Sequence, residues 1–163
     1  MADRFLVSLF EHKAWCNAGL AEALRAAPKD VDQMRWAVIV FTFDHTANVD
    51  RVFKARLTGE APDVTSTVAT RWPDLDALTA SMAQTDAWYL DYVRAITPSE
   101  LDETVTFSFV DDGAPVRMTR GDMLAHVITH GASHRGAIGK TLEGLGVRGA
   151  SDMVTTFRRM EQA

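Results

Sequence analysis

The chain has 163 residues, and its 17 Lys and Arg against 22 Asp and Glu give a net charge of −5, without a basic block that would follow a phosphate backbone. Its composition, 47% apolar and 24% charged, is ordinary for a soluble globular protein, and no apolar run approaches the roughly 18 residues of a membrane span. These features exclude nucleic acid and membrane as expected partners, and the single cysteine, Cys16, excludes an intramolecular disulfide and a thiolate metal cluster.

The length predicts one domain over residues 1–163, because a chain of this size can bury one sizeable core but not comfortably two. The N-terminal stretch MADRFLVSLFEHKAW mixes charge into its first turns, unlike a secretory signal. We therefore expect a cytoplasmic protein. Any metal that it binds has to be held by imidazole and oxygen ligands.

The first predicted element is an amphipathic helix from about Asp3 to Ala26. Its apolar residues recur at helical spacing, and Pro28 ends the pattern. His12 lies within this helix between two charged residues. We expect it to be a solvated or boundary side chain rather than a metal ligand.

The second predicted helix runs from about Val31 to Leu57. Its apolar run WAVIVF at 36–41 would by itself suit a buried strand, but a 3-to-4 spacing that includes Val38 and His45 continues past it. The pattern predicts a long, deeply buried helix with His45 in its apolar stripe. A buried imidazole left unpaired costs roughly 1–3 kcal/mol, so His45 needs a partner, either a metal ion or a neighbour such as Asn48.

A loop, a third helix and a hairpin follow. Glycine, proline and hydroxyl residues predict a surface loop over Gly59–Pro73, which Trp72 pins to the body of the protein. Asp74 is a good N-cap for a third helix that runs to about Ile96. Alternating apolar residues on both sides of a plausible reversal predict a small β-hairpin over Thr104–Met118.

The last long helix carries a column of histidines. Thr119 and Asp122 have the spacing of a capping box, and Gly144 ends the helix. A short helix that starts at Ser151 and runs through Met160 completes the chain. Together these elements predict an all-α fold: an antiparallel four-helix bundle with a short β-hairpin before the fourth long helix and a short C-terminal helix.

His126, His130 and His134 recur every fourth residue, so they lie on one face of that helix. Two histidines four residues apart can share a divalent cation, whereas His126 and His134 are separated by roughly 12 Å of axial rise. We therefore expect one adjacent pair to bind a metal together with a third ligand from elsewhere. In a bundle, the second helix offers His45 and the fourth offers His130 and His134. The alternative is that no metal binds and the histidines hydrogen-bond within the core.

Three segments of the chain resemble the DinB-like family, whose members are bundle proteins named for damage-inducible genes and related to thiol-dependent S-transferases and the mycothiol-dependent maleylpyruvate isomerase. The segments are LFEHKAWCN at 9–17, FDHTANVDRVFKARLTG at 43–59 and HVITHGASHRGAIG at 126–139. The resemblance implies a metal triad of His45, His130 and His134, with His126 as a pocket residue beside it or a buried structural histidine. It also implies a low-molecular-weight thiol cosubstrate and a homodimer.

Three protein ligands leave a coordination position for water or substrate. A divalent ion, Zn²⁺ or Ni²⁺, would lower the pKa of a thiol or water bound there. A thiol would make the protein an S-transferase acting on electrophilic small molecules, and water would make it a hydrolase. The non-enzymatic alternative is a metal-binding stress-response protein or dimeric scaffold.

No catalytic residue can be assigned from the sequence. There is no Ser/His/Asp arrangement, and the nominal general bases Asp44, Asp50 and Glu103 are of a kind that is usually solvated. Arg135 follows a proposed ligand directly, and we expect it to form a salt bridge or an interface contact rather than to act in catalysis.

Overall fold

Four long helices make up most of the molecule. The computed structural model describes residues 3–28, 30–111, 113–160 and 162. In chain order its elements are α1 (Arg4–Ala26), α2 (Gln33–Thr58), α3 (Leu75–Ala95), α4 (Pro98–Leu101), β1 (Thr104–Ser108), β2 (Pro115–Thr119), α5 (Arg120–Gly144) and α6 (Val154–Met160). The mainly helical structure with one antiparallel hairpin confirms the predicted all-α class.

Side-chain caps determine where the long helices begin. The Asp74 carboxylate accepts a 2.8 Å hydrogen bond from the Ala77 amide at the start of α3. At the start of α5, the Thr119 hydroxyl accepts from the Asp122 amide, and the Asp122 carboxylate accepts from the Thr119 amide. These two hydrogen bonds confirm the predicted capping box. Gly59 ends α2 with φ 77°, a left-handed conformation that glycine adopts without strain.

The long helices pack in pairs, α1 against α3 and α2 against α5, and further contacts join α2 to α3 and α1 to α5. Two apolar clusters fill the space between them. One adjoins the hairpin and includes Phe10, Phe53, Tyr89 and Met123. The other includes Leu20, Ile39, Phe43 and Leu142. The pairing of α2 with α5 brings His45 next to the histidine column. No helix among the described residues is long and apolar enough to cross a bilayer.

The prediction that α2 is deeply buried is wrong for one side of the helix. Ile39 and Val40 are at most 1% exposed, but Val38 is 56% exposed. The run at 36–41 is apolar on all sides of the helix, so its periodicity does not indicate which side faces the neighbouring helices. His45 follows Val38 by about two helical turns and therefore lies on the same side of α2.

A buried network of charges crosses the centre of the molecule. Lys13 Nζ lies 2.7 Å from Asp50 Oδ2 and 2.5 Å from Asp86 Oδ1. Asn17 Nδ2 donates to Asp86 Oδ2 at 2.8 Å, and Arg135 Nη1 donates to Asn17 Oδ1 at 3.0 Å. All five side chains are less than 10% exposed. The network therefore links α1, α2, α3 and α5 through directional contacts that an apolar core would lack.

Both partners of the central ion pair have perturbed pKa values. Burial raises the pKa of Asp50 to about 6, although the Lys13 ammonium opposes the rise. Burial also disfavours the charged form of Lys13, but Asp50 and Asp86 together hold its pKa above the usual value. At pH 7 Asp50 is therefore ionised and Lys13 is protonated, so this contact is an ion pair.

Candidate metal centre

Three imidazole nitrogens converge where α2 meets α5. His130 Nε2 lies 3.2 Å from His45 Nε2 and 3.0 Å from His134 Nε2. Nitrogens bound to one tetrahedral Zn²⁺ at 2.0–2.1 Å are about 3.3 Å apart, so the observed separations are close to those around a shared ion. The three donors are near enough to one another to be compatible with a single divalent metal.

Hydrogen bonding among the rings does not satisfy these nitrogens. His45 Nδ1 lies 3.2 Å from the Thr67 carbonyl oxygen, which can only accept, so His45 carries its proton on Nδ1 and a lone pair on Nε2. On His130 the converging atom is Nε2, and Nδ1, which is buried without a hydrogen-bond partner among the described residues, would carry the ring proton if Nε2 bound a metal. Because a neutral ring has one N–H, His130 Nε2 can form a good hydrogen bond with only one of its two imidazole neighbours, His45 or His134. A cation would accept all three lone pairs, so the donor set fits a metal ion.

His130 and His134 on α5 are neutral, which is the protonation state in which imidazole binds metals. Burial, and to a lesser extent the neighbouring imidazoles, together lower the pKa of His130 to about 4. Burial also lowers the pKa of His134. Both rings are therefore neutral at pH 7, and a metal would not have to displace protons from them.

His126 supports the site without belonging to the donor cluster. Its ring is stacked on Phe53, with centroids 4.6 Å apart and an interplanar angle of 17°. Its other neighbour is His130, at 5.2 Å and 20°. The stack of three rings restricts the orientation of His130. This placement suits both expectations for His126, a residue beside the proposed ligands and a structural histidine.

The loop that follows α2 is held in place by the tip of the hairpin. Asp111 Oδ1 accepts from the Thr67 amide at 3.0 Å and from Ser66 Oγ at 2.7 Å, and Asp111 Oδ2 accepts from Thr67 Oγ1 at 2.6 Å. The hydrogen bonds from Thr67 and Ser66 lower the pKa of Asp111. Asp111 thereby fixes the carbonyl that orients His45. Sequence reasoning missed this connection, since a backbone acceptor in a polar loop has no sequence signature.

We expect Asp111→Ala to weaken Zn²⁺ binding by up to about 10-fold, the lower end of the loss seen when a ligand's own hydrogen-bond partner is removed, because Asp111 acts on His45 only through Thr67. Calorimetric titration of the metal-free protein with Zn²⁺ measures this change. The matched control is Asp63→Ala, because Asp63 joins the same loop to α2 through Arg51 Nη2 at 2.6 Å, whereas the carboxylate that hydrogen-bonds Thr67 is Asp111. Equal losses in the two variants would contradict the proposed role of Asp111.

The histidine cluster is accessible from one side. A cleft of about 310 Å³ adjoins His45 and His134, and its other lining residues are Val38, Phe41, Thr42, Val68 and Ala69. The predicted anchoring of the loop is also present, since Trp72 packs edge-on against Phe41 with ring centroids 5.6 Å apart. The cleft therefore opens beside two of the three histidines.

The nominal general bases lie outside the donor cluster. Asp50 is buried in the ion-pair network, and Glu103 pairs with Arg120 at 3.0 Å. Burial raises the pKa of Asp44, which accepts a 2.8 Å hydrogen bond from Asn48. Asn48, the alternative partner for His45, is thus bonded to a different side chain, and no catalytic base is assigned.

A second group of possible donors consists of His12, Cys16 and Asp152. Cys16 Sγ lies 3.3 Å from His12 Nε2, and burial raises the pKa of the thiol. The Asp152 carboxylate is already neutralised by Arg135, whose Nε and Nη2 lie 3.1–3.2 Å from its oxygens. The positive charge of the Arg135 guanidinium would repel a metal ion bound at this position. Asp152 therefore serves as the partner of Arg135 in an ion pair and not as a metal ligand. The predicted salt bridge of Arg135 is confirmed.

The family comparison covers the proposed site. The family model of the DinB superfamily matches residues 20–138, which include α2 and all three converging histidines. The segment at 9–17 precedes the matched region. No curated protein matches the chain. Because the match covers well over half of the sequence, the chain belongs to the DinB superfamily.

Proposed function

We propose that the protein is a metal-dependent enzyme in which His45, His130 and His134 hold one divalent ion, zinc or nickel. The observation that carries the proposal is the convergence of three Nε2 atoms within 3.0–3.2 Å along the contacts of His130. Neutral imidazole suits either metal. Three protein ligands leave a coordination position free, which is characteristic of catalytic rather than structural zinc sites.

The residues around this position suit the activation of a small nucleophile. A divalent ion held there supplies Lewis acidity, which lowers the pKa of a thiol or of water. The Thr67 carbonyl and the stacked His126 hold two of the imidazoles in orientation. The cleft beside His45 and His134 gives the second reactant access.

We propose that the nucleophile is a low-molecular-weight thiol and that the reaction is S-transfer to an electrophilic small molecule. The chain has one cysteine of its own, Cys16, which is 1% exposed and whose pKa is raised by burial. A reactive thiolate therefore has to come from a cosubstrate. The second candidate is a hydrolase that uses water in the same position.

We further propose that the four long helices form one antiparallel bundle domain and that the protein acts as a cytoplasmic homodimer. The contacts of α1 with α3 and of α2 with α5 suit such a bundle. Sedimentation equilibrium tests the homodimer, and a single species of monomer mass would contradict it.

Thiol binding separates the enzyme from a non-catalytic metal protein. We expect the Co²⁺-loaded protein to develop sulfur-to-cobalt charge-transfer absorption when 2-mercaptoethanol is added, and to consume 1-chloro-2,4-dinitrobenzene in a thiol-dependent manner. The His130→Ala variant should show neither. Stoichiometric cobalt without thiol binding or turnover would favour a structural or sensing role, and turnover of an ester without thiol would favour the hydrolase.

A further inference from the structure

Large apolar side chains are exposed next to the histidine cluster. Val38 is 56% exposed, Val68 is 64% exposed and Trp72 is 55% exposed. Val38 and Phe41 lie on α2 within two turns before His45, and Val68 directly follows the residue whose carbonyl orients His45. Exposed apolar side chains that share one cleft, as Val38 and Val68 do, form a patch of the kind that often lines a ligand groove.

The cleft beside the histidine cluster, to which Val38 and Val68 contribute, has an uncharged and mainly apolar wall. Apart from His45 and His134, its lining consists of Val38, Phe41, Thr42, Val68 and Ala69, none of which is charged. We call the five residues the apolar wall. Its volume of about 310 Å³ lies at the lower end of the range of small-molecule sites. A carboxylate or ammonium group placed against this wall would lose hydration and would find no charged partner there, only the Thr42 hydroxyl among the five side chains.

The apolar wall is held in a defined position. The Val68 amide donates to Ser66 Oγ at 3.0 Å, and Ser66 in turn donates to Asp111 at 2.7 Å. Thr67, between them, is 7% exposed and bonded to the same carboxylate. The Asp111 carboxylate therefore fixes the orientation of His45 through Thr67 and the position of Val68 through Ser66. The proposed metal ligand and this part of the apolar wall are thus held in place by the same side chain.

We propose that the apolar wall binds an uncharged alkyl or aryl group of the electrophilic substrate that reacts at the histidine cluster. The inference rests on the proposed function and adds the substrate class to it. A thiol cosubstrate with charged groups then approaches the cluster from outside the wall. A second copy of the chain is the other conceivable occupant, but it would cover two of the three histidines and close the site.

Two hydroxamates that share a metal-binding group test this proposal. Acetohydroxamate carries a methyl group and benzohydroxamate carries a phenyl group, and the d–d absorption of the Co²⁺-loaded protein reports the binding of either one at the metal. We expect benzohydroxamate to bind about tenfold more tightly or better, because its ring removes more apolar area from water. This preference should fall to about twofold in the double variant Val38→Gln/Val68→Asn.

The control variant is Val154→Gln on α6, since Val154 is also exposed, at 49%, but does not line the cleft. It should retain the tenfold preference. Equal affinity of wild-type protein for the two hydroxamates would overturn the proposed role of the apolar wall without contradicting the proposed metal site. Failure to bind cobalt would overturn the proposed function as well. A wild-type dimer that binds no hydroxamate until Val38→Gln makes it monomeric would identify a second copy as the occupant and overturn the proposal.

Discussion

His130→Ala is expected to abolish stoichiometric binding of a divalent ion under conditions in which the wild-type chain binds one. His130 supplies the central nitrogen, 3.2 Å from His45 Nε2 and 3.0 Å from His134 Nε2, so its loss leaves two ligands that hold an ion poorly. The loss of affinity should exceed the 10- to 100-fold expected for a hydrogen-bond partner behind a ligand. Calorimetric titration with Zn²⁺ measures it, and circular dichroism checks that the variant is folded.

His12→Ala is the matched control for this loss. His12 is also partly buried on a long helix, but its ring packs beside Trp15 and Phe157 and is not in the triad. The His12→Ala variant should bind Zn²⁺ with wild-type affinity. If both substitutions weakened binding equally, or if His130→Ala bound one ion as tightly as wild type, the triad would be incorrect.

Lys13→Met is expected to lower the free energy of unfolding by about 3–5 kcal/mol at pH 7, the cost of breaking a buried ion pair by removing one partner. Lys13 is 1% exposed and contacts both Asp50 and Asp86, so the substitution leaves two carboxylates buried without their cation. Urea denaturation measures the change. The triple variant Lys13→Met/Asp50→Asn/Asp86→Asn should recover much of it, because no unpaired charge remains.

The cost of Lys13→Met should also depend on pH. The pKa of Asp50 is about 6 in the folded protein and 3.8 for a free carboxyl, so between these values the folded state holds a proton that the unfolded state has released. The contribution of Asp50 to the free energy of unfolding is therefore fully present below about pH 4 and is lost as the pH rises through 6. We therefore expect a smaller cost at pH 5, where Asp50 is largely protonated, than at pH 7. A loss of unfolding free energy that is the same at pH 5 and pH 7, or that is below about 1 kcal/mol at pH 7, would contradict the ion pair.

The helix boundaries could be predicted because their signals are local. The capping box of Thr119 and Asp122 and the N-cap Asp74 form hydrogen bonds within three residues along the chain, so sequence spacing reports them directly. The pairing of His130 with His134 is local in the same way, since both lie on one face of α5. The contribution of His45 depends on which helices become neighbours, and it required the bundle prediction and the family resemblance.

The features that sequence reasoning missed all join distant parts of the chain. Lys13, Asp50 and Asp86 each resemble a solvated charge in their own helix, and only the packing of α1, α2 and α3 turns them into a buried network. The acceptor for His45 is a backbone carbonyl, which every residue possesses. The exposure of Val38 likewise depends on which side of an all-round apolar segment meets its neighbours.

X-ray absorption spectroscopy of protein purified without chelators, combined with metal analysis, tests the histidine site most directly. The predicted result is one divalent ion per chain, bound by three imidazole nitrogens at about 2.0–2.1 Å together with a non-protein light atom that an added thiol replaces with sulfur. A chain without a stoichiometric ion, or an ion whose fourth ligand comes from the protein, would contradict an open three-histidine centre.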